Sequence, residues 1–234
     1  MDKIFYETAI YKINQKDETL SRVPMKNFRC KKLPKKFTMQ EMIDLLVNMQ
    51  KVCFKDNNEN NDNMNRLIKT FMEKNDKTVA IALSLGYKSD DDSFLDYIDG
   101  ASATLQKTNN GILPYQQPTV NEVCRQKVRN LDSLGTPTHY IMDILEQYVR
   151  GPMMHSSKRI DGLYLYIEKK PSHGSSDFLL GYYKKKFGFQ EMRKYEDADY
   201  YYMKKPLKMM QKTPKSVNNN NKTHSKEGSR KLKK

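Results

Sequence analysis

The chain has 234 residues, 37% of them hydrophobic and 30% charged, with 15 Tyr, 14 Met and no Trp, the profile of a globular protein built on one sizeable core. No apolar run reaches the length of a membrane span or a secretory leader, the longest, TVAIALSL, being of strand length; the chain is therefore expected inside a cell, cytoplasmic or nuclear, and not in a membrane. The net charge of +14 admits nucleic acid as a partner, yet residues 204–234 hold eleven Lys/Arg against one Glu and leave only +4 for all the rest.

In chain order, FRCKKL (28–33) reads as a strand ahead of Pro34. Thr38 and Glu41 have the spacing of a capping box, and Met42, Leu45, Leu46, Met49 and Val52 follow at helical spacing to about Phe54. KDNNENNDN reads as a loop and MNRLIKTFMEKN as a second amphipathic helix. The near-continuous apolar run KTVAIALSLGY predicts a strand buried on both faces. The acidic KSDDDSFLDYIDG is a connection, ASATLQK a strand, NNG a turn and TVNEVCRQ a further strand.

GTPTHYIMDILEQYVRG predicts the clearest helix, capped by Thr136, with Pro137 in its first turn and Ile141, Ile144, Leu145, Tyr148 and Val149 as its apolar stripe. GLYLYIE is then a strand, SSDFLLGYYKKKF a shorter helix and DADYYYMKKPL a final strand. The remainder, KTPKSVNNNNKTHSKEGSRKLKK, lacks large apolar residues and cannot offset its ordering entropy, so it is expected to be disordered. Cys30, Cys53 and Cys124 and the four histidines show no disulfide framework and no metal-ligand spacing, so no metal site is expected.

This order of elements, with DFLLGYYKKKFGFQEM followed by YYYMKKPL, resembles the GNAT superfamily of N-acetyltransferases. The resemblance implies an α/β fold, a GNAT-like mixed central sheet flanked by helices over residues 27–207. Residues 1–26 are left as an N-terminal extension and 208–234 as a disordered basic tail. Members of the family bind acetyl-CoA; an amine attacks the thioester carbonyl, and a tyrosine on the last helix gives a proton or hydrogen bond to the departing thiolate. Counted back from Gly188, that position holds Lys184, and Tyr183 lies one residue early, a rotation of about 100° on a helix. Tyr183 is the resulting candidate acid, with packing the alternative for Tyr182 and Tyr183.

The resemblance also implies that the backbone of Val123, Cys124 and Arg125 pairs with the pantetheine arm and that Glu122 accepts the amine proton. The phosphates fall to DSLGTP, where Gly135 fits the first glycine, while Asp132 and Pro137 depart from the usual Arg/Gln and small residue. Leu134, Gly135, Thr136 and Thr138 would cradle them, with Arg129 reaching in from the loop. The acceptor would be an amine-bearing small molecule or protein. The acidic SDDDSFLDYIDG suits a basic one such as a polyamine, a lysine side chain or a protein N-terminus. The alternatives are a GNAT-like binding or structural module without catalysis, using its tail on nucleic acid or acidic surfaces, and a nucleic-acid-binding protein. The Asn- and Lys-rich composition is of a kind seen in AT-rich genomes, large DNA viruses among them, which would make the compartment a host cell.

Overall fold

The computed structural model describes residues 4–28, 30–53, 78–108, 117–126, 137–153, 160–169, 175–192 and 198–208. The helix expected at MNRLIKTFMEKN, the KDNNENNDN loop, the NNG turn, the Thr136 cap and the tail beyond 208 lie outside them.

The chain opens with a hairpin, β1 (Phe5–Asn14) and β2 (Thr19–Val23), then β3 (Lys36–Thr38) and helix α1 (Met39–Cys53). Three long strands follow, β4 (Thr78–Tyr87), β5 (Asp99–Thr108) and β6 (Gln117–Gln126). Helix α2 (Pro137–Tyr148) continues through one π-type turn (Val149–Met153) to β7 (Gly162–Glu168); helix α3 (Ser176–Phe187), β8 (Gln190–Glu191) and β9 (Tyr200–Pro206) complete it. Among the described residues the strands form one sheet in the order β3-β2-β1-β4-β5-β6-β7-β9-β8. All neighbours are antiparallel except β6 and β7.

Strand alternation divides the core into two layers. Ile10, Ala82, Ala103, Val120 and Leu165 face α2 and α3. Ala9, Tyr11, Ile81, Leu83 and Leu85 face α1. The buried stripe Met42, Leu45, Leu46 and Met49 seats α1 on that second face. Its expected capping box forms: the Thr38 N–H donates to the Glu41 carboxylate at 2.7 Å, and the Glu41 N–H donates to the Thr38 hydroxyl at 3.2 Å. The Thr38 N–H, contributing most, and the Thr38 hydroxyl, which donates to the same carboxylate at 2.9 Å, hold the Glu41 carboxyl below its ordinary range.

Two expectations need correction. Residues assigned to an N-terminal extension build β1 and β2, and β1 pairs with β4 from Phe5↔Tyr87 to Lys12↔Ala80; the domain therefore includes them. Phe28 and residues 30–33 of FRCKKL form no strand. The N–H groups of Lys31, Lys32 and Leu33 all donate to the buried Glu7 carboxylate, at 2.8, 2.9 and 3.0 Å, so they are taken out of any ladder. The Arg22 guanidinium donates to the carbonyls of Cys30 and Leu33 and fixes the same bend from the other side. Burial pushes the Cys30 thiol up to about 11.

Candidate functional site at a strand splay

The parallel pair β6–β7 sits inside the sheet, yet its register comprises only Thr119↔Tyr164 and Val120↔Leu165. Beyond that point β6 runs on for residues 121–126 against β5 alone, and β7 runs on for 166–168 against β9 alone. The two strands therefore part towards their carboxyl ends, leaving a V-shaped opening.

A β-bulge lies where the strands part. Ser102 pairs with Cys124 and Thr104 with Asn121, so Glu122 and Val123 together oppose Ala103. A bulge bends its strand and adds local twist, which carries β6 away from β7. Side-chain parity confirms the extra residue: Val120 and Val123 are three positions apart, yet both pack against the α2–α3 core layer. In an unbroken strand they would face opposite sides.

The start of α2 and the end of α3 meet over the apolar layer to which β6 and β7 both contribute. Pro137 is the first residue of α2 and has no N–H, so it offers no donor at the start of that helix. The His139 ring lies 4.9 Å from the Phe187 ring and joins the start of α2 to the end of α3. Helix α3 is capped by Ser175, whose hydroxyl accepts from the Phe178 N–H. It ends at Gly188, φ 72°, in the left-handed conformation that favours glycine. Phe187 and Phe189, either side of that glycine, are buried.

Tyr183 is 8% exposed and touches the rings of Tyr182, Phe187 and Phe189 at 5.5, 5.8 and 6.0 Å. Burial pushes its hydroxyl pKa well above the ordinary tyrosine value, and Tyr182 adds to the shift. Lys184, at the position the family gives to tyrosine, is exposed and pairs with Glu191 at 3.0 Å.

The structure brings the backbone of Glu122, Val123, Cys124 and Arg125 to one wall of the opening, with the bulge at Glu122 and Val123. Thr138 is in the first turn of α2 with its side chain buried. Arg129, Leu134, Gly135 and Thr136 lie outside the described residues. Sequence reasoning missed Tyr6 and Asp99, from β1 and β5, which meet at the same edge of the sheet as the opening. The Tyr6 hydroxyl donates to the buried Asp99 carboxylate, and the Tyr6 ring lies 5.5 Å from Tyr140 in α2. The alternation in FYETAIYKIN was the available signal for β1; nothing local pointed to Asp99 as a partner across 93 residues.

A cavity of about 330 Å³ lies apart from the opening, between the β1–β2 hairpin and α2, lined by Arg22, Met25, Phe28, Cys30 and Ile144. It is mainly apolar, and its Arg22 is already bound to two carbonyls. Among the described residues no group of His, Cys, Asp and Glu has a metal-binding arrangement. Also among them, no helix is long and apolar enough to cross a membrane.

No protein-family model matches the chain, and no curated protein sequence matches it. Solved structures do show likeness. A probable acetyltransferase from Staphylococcus epidermidis is 14% identical, with 72% of this chain and 95% of that one covered at a TM-score of 0.41. An acetyltransferase of the GNAT family from Staphylococcus aureus is 14% identical, with 86% and 99% covered at 0.37. An aminoglycoside 6'-acetyltransferase type Ii is 13% identical, with 71% and 90% covered at 0.35. At these scores the likeness adds no weight to the sheet order and the splay described above.

Proposed function

We propose that the chain is a GNAT-like N-acetyltransferase that moves acetyl from acetyl-CoA to an amine within the β6–β7 opening. The observation that carries this reading is the pairing of β6 with β7 at two positions only, followed at once by the bulge at Glu122 and Val123. An opened parallel pair offers one strand's unpaired amides to an extended, amide-bearing arm, in the manner of an added strand. The pantetheine arm of acetyl-CoA has that chemistry, and Val123, Cys124 and Arg125 would meet it. The start of α2 would face the pyrophosphate, with Leu134, Gly135, Thr136 and Thr138 forming the cradle and Arg129 adding charge.

The chemistry then needs positioning, removal of the amine proton and a hydrogen bond to the departing thiolate. The amine nitrogen, once deprotonated, attacks the thioester carbonyl; the C–S bond breaks as the amide forms. Glu122, directly or through water, accepts the amine proton. Tyr183 gives a hydrogen bond to the departing sulfur. With its pKa raised by burial, a full proton transfer to a thiolate of pKa near 8.5 is uphill, so its role is to donate rather than to ionise.

Acetyl-CoA at ~100 times its dissociation constant should stabilise the native state by about 2.7 kcal/mol, a rise in melting temperature of about 5–10 °C for a chain of this size. Absence of any shift at millimolar acetyl-CoA would overturn the proposal. A second reading, a module that binds without turnover, is favoured by Pro137 at the first position of α2 and by the enclosure of Tyr183. Binding of acetyl-CoA with no thiol release for any amine supports that reading instead. Nucleic acid is proposed as a partner only through residues 204–234; deleting residues 211–234 should then abolish salt-sensitive binding.

A further inference from the structure

We propose that the cavity between the β1–β2 hairpin and α2 binds a small carboxylic acid with an apolar chain, its carboxylate on Arg22 and its chain among Val23, Met25, Phe28 and Ile144. The site lies towards the β2–β3 margin of the sheet and shares no residue with the β6–β7 opening, so it does not depend on the acyl-transfer reading.

The way the chain leaves the sheet creates the space. β2 pairs with β1 only from Ile10 to Asn14, so among the described residues Thr8 and Ala9 run on with β4 beside them and no strand on the other side. Pro24 has no N–H and cannot extend the ladder. The chain instead passes through a turn in which the Phe28 N–H donates to the Met25 carbonyl at 3.3 Å. It comes back to β1 at Cys30, whose thiol donates to the Thr8 carbonyl at 3.0 Å, and at residues 31–33, whose N–H groups Glu7 holds. Thr8, Ala9, the turn and Ile144 of α2 all line the cavity.

Its charge is of one sign. Arg22 and Lys35 line the cavity, and among the described residues no acid does. The Glu7 carboxylate is taken up by the three N–H groups, and the Cys30 thiol, pushed by burial up to about 11, stays neutral at physiological pH. Arg22 uses a single nitrogen, Nη1, on the carbonyls of Cys30 and Leu33, at 3.3 and 2.7 Å. Among the described residues its Nε and Nη2 have neither a carbonyl nor a carboxylate partner. Those two nitrogens form one side of the planar fork, which takes a carboxylate through two parallel hydrogen bonds. Inorganic phosphate would answer the charge but leave Val23, Met25, Phe28 and Ile144 uncovered; an acid with an alkyl chain answers both. A water's share of the liquid is about 30 Å³, so a cavity of about 330 Å³ has room for about eight carbons and their carboxylate.

The test is a calorimetric titration of the full chain with octanoate and, separately, with 1-octanol, octylamine and acetate. Octanoate is expected to saturate at millimolar concentration or below. The alcohol and the amine lack the charge-assisted pair and acetate lacks the chain, so each should bind at least about tenfold more weakly. Lys35→Gln changes an exposed side chain and should weaken octanoate about two- to fivefold, flatten its salt dependence and leave the melting temperature unchanged. Arg22→Lys keeps the charge without the fork and should weaken octanoate about tenfold. Because that change also disturbs the bonds to Cys30 and Leu33, Met25→Trp is the second variant: it fills the cavity, leaves Arg22 in place and should abolish binding. Failure of octanoate to saturate, equal affinity for octanoate and 1-octanol, or wild-type octanoate binding in Met25→Trp would overturn the proposal. Tighter binding of acetyl-Leu-Phe than of octanoate would assign the carboxylate to a chain terminus and overturn it as well. Stabilisation by acetyl-CoA should be the same in Met25→Trp as in the wild type, so the two sites stand or fall separately.

Discussion

Glu7 offers a direct test of how the front of the sheet is held. The residue is 9% exposed, and its carboxylate accepts three backbone N–H groups from a segment more than twenty residues on. In Glu7→Ala these donors lose their partner together. Leu33 is buried, so its N–H bears the full cost of an unmade bond, about 1–3 kcal/mol; Lys31 and Lys32 reach water, and each loses about 0.5–1 kcal/mol. The expected loss is about 2–5 kcal/mol, a large share of a total stability of about 5–15 kcal/mol. Glu7→Gln keeps the shape but sets an NH₂ against one of the donors, and should cost about 1–3 kcal/mol. Urea unfolding measures both, as a lower midpoint at unchanged slope. A change under about 0.5 kcal/mol in Glu7→Ala would refute the account, since it would show that segment 31–33 needs no anion to bend.

Three further outcomes follow from local geometry. Gly188→Ala should lose about 1 kcal/mol, or about 2–4 °C in melting temperature: an added Cβ meets nothing within 4 Å, and the cost is the left-handed backbone alone. Thr38→Ala should cost about 0.5–2 kcal/mol at neutral pH and move the Glu41 carboxyl back towards 4.5, read by NMR titration. Because the folded-state pKa is depressed, the stabilisation from Glu41 is present above 4.5 and disappears as pH falls through the lower folded value, and a flat acid limb would contradict it. Tyr183→Phe should lower turnover about a hundredfold with the melting temperature within about 2 °C; full activity would assign that ring to packing alone.

The sequence was most readable where one segment satisfies its own chemistry. The box at Thr38 and Glu41, the apolar run of β4 and the Phe-Gly-Phe stop of α3 all form as local pattern dictates. What stayed hidden depends on partners far along the chain. FRCKKL has the residues of a strand, but the N–H groups of Lys31, Lys32 and Leu33 are claimed by Glu7. The bulge at Glu122 and Val123 leaves no trace in TVNEVCRQ, because it is a mismatch with β5 rather than a property of β6. The tyrosines of GLYLYIE and DADYYYMKKPL were visible as strand residues. Only the β7–β9 register shows that Tyr166, Tyr200 and Tyr202 share a face.

The two outermost strands of the sheet, β3 and β8, are only three and two residues long. A sheet this wide would otherwise present two long rows of unpaired amides on which another copy could grow as an added strand. Here each margin ends within a few residues, with Lys36 and Gln190 exposed along it. Extension of either short strand by a few β-branched residues would turn a self-limiting margin into a template for chain-on-chain polymerisation.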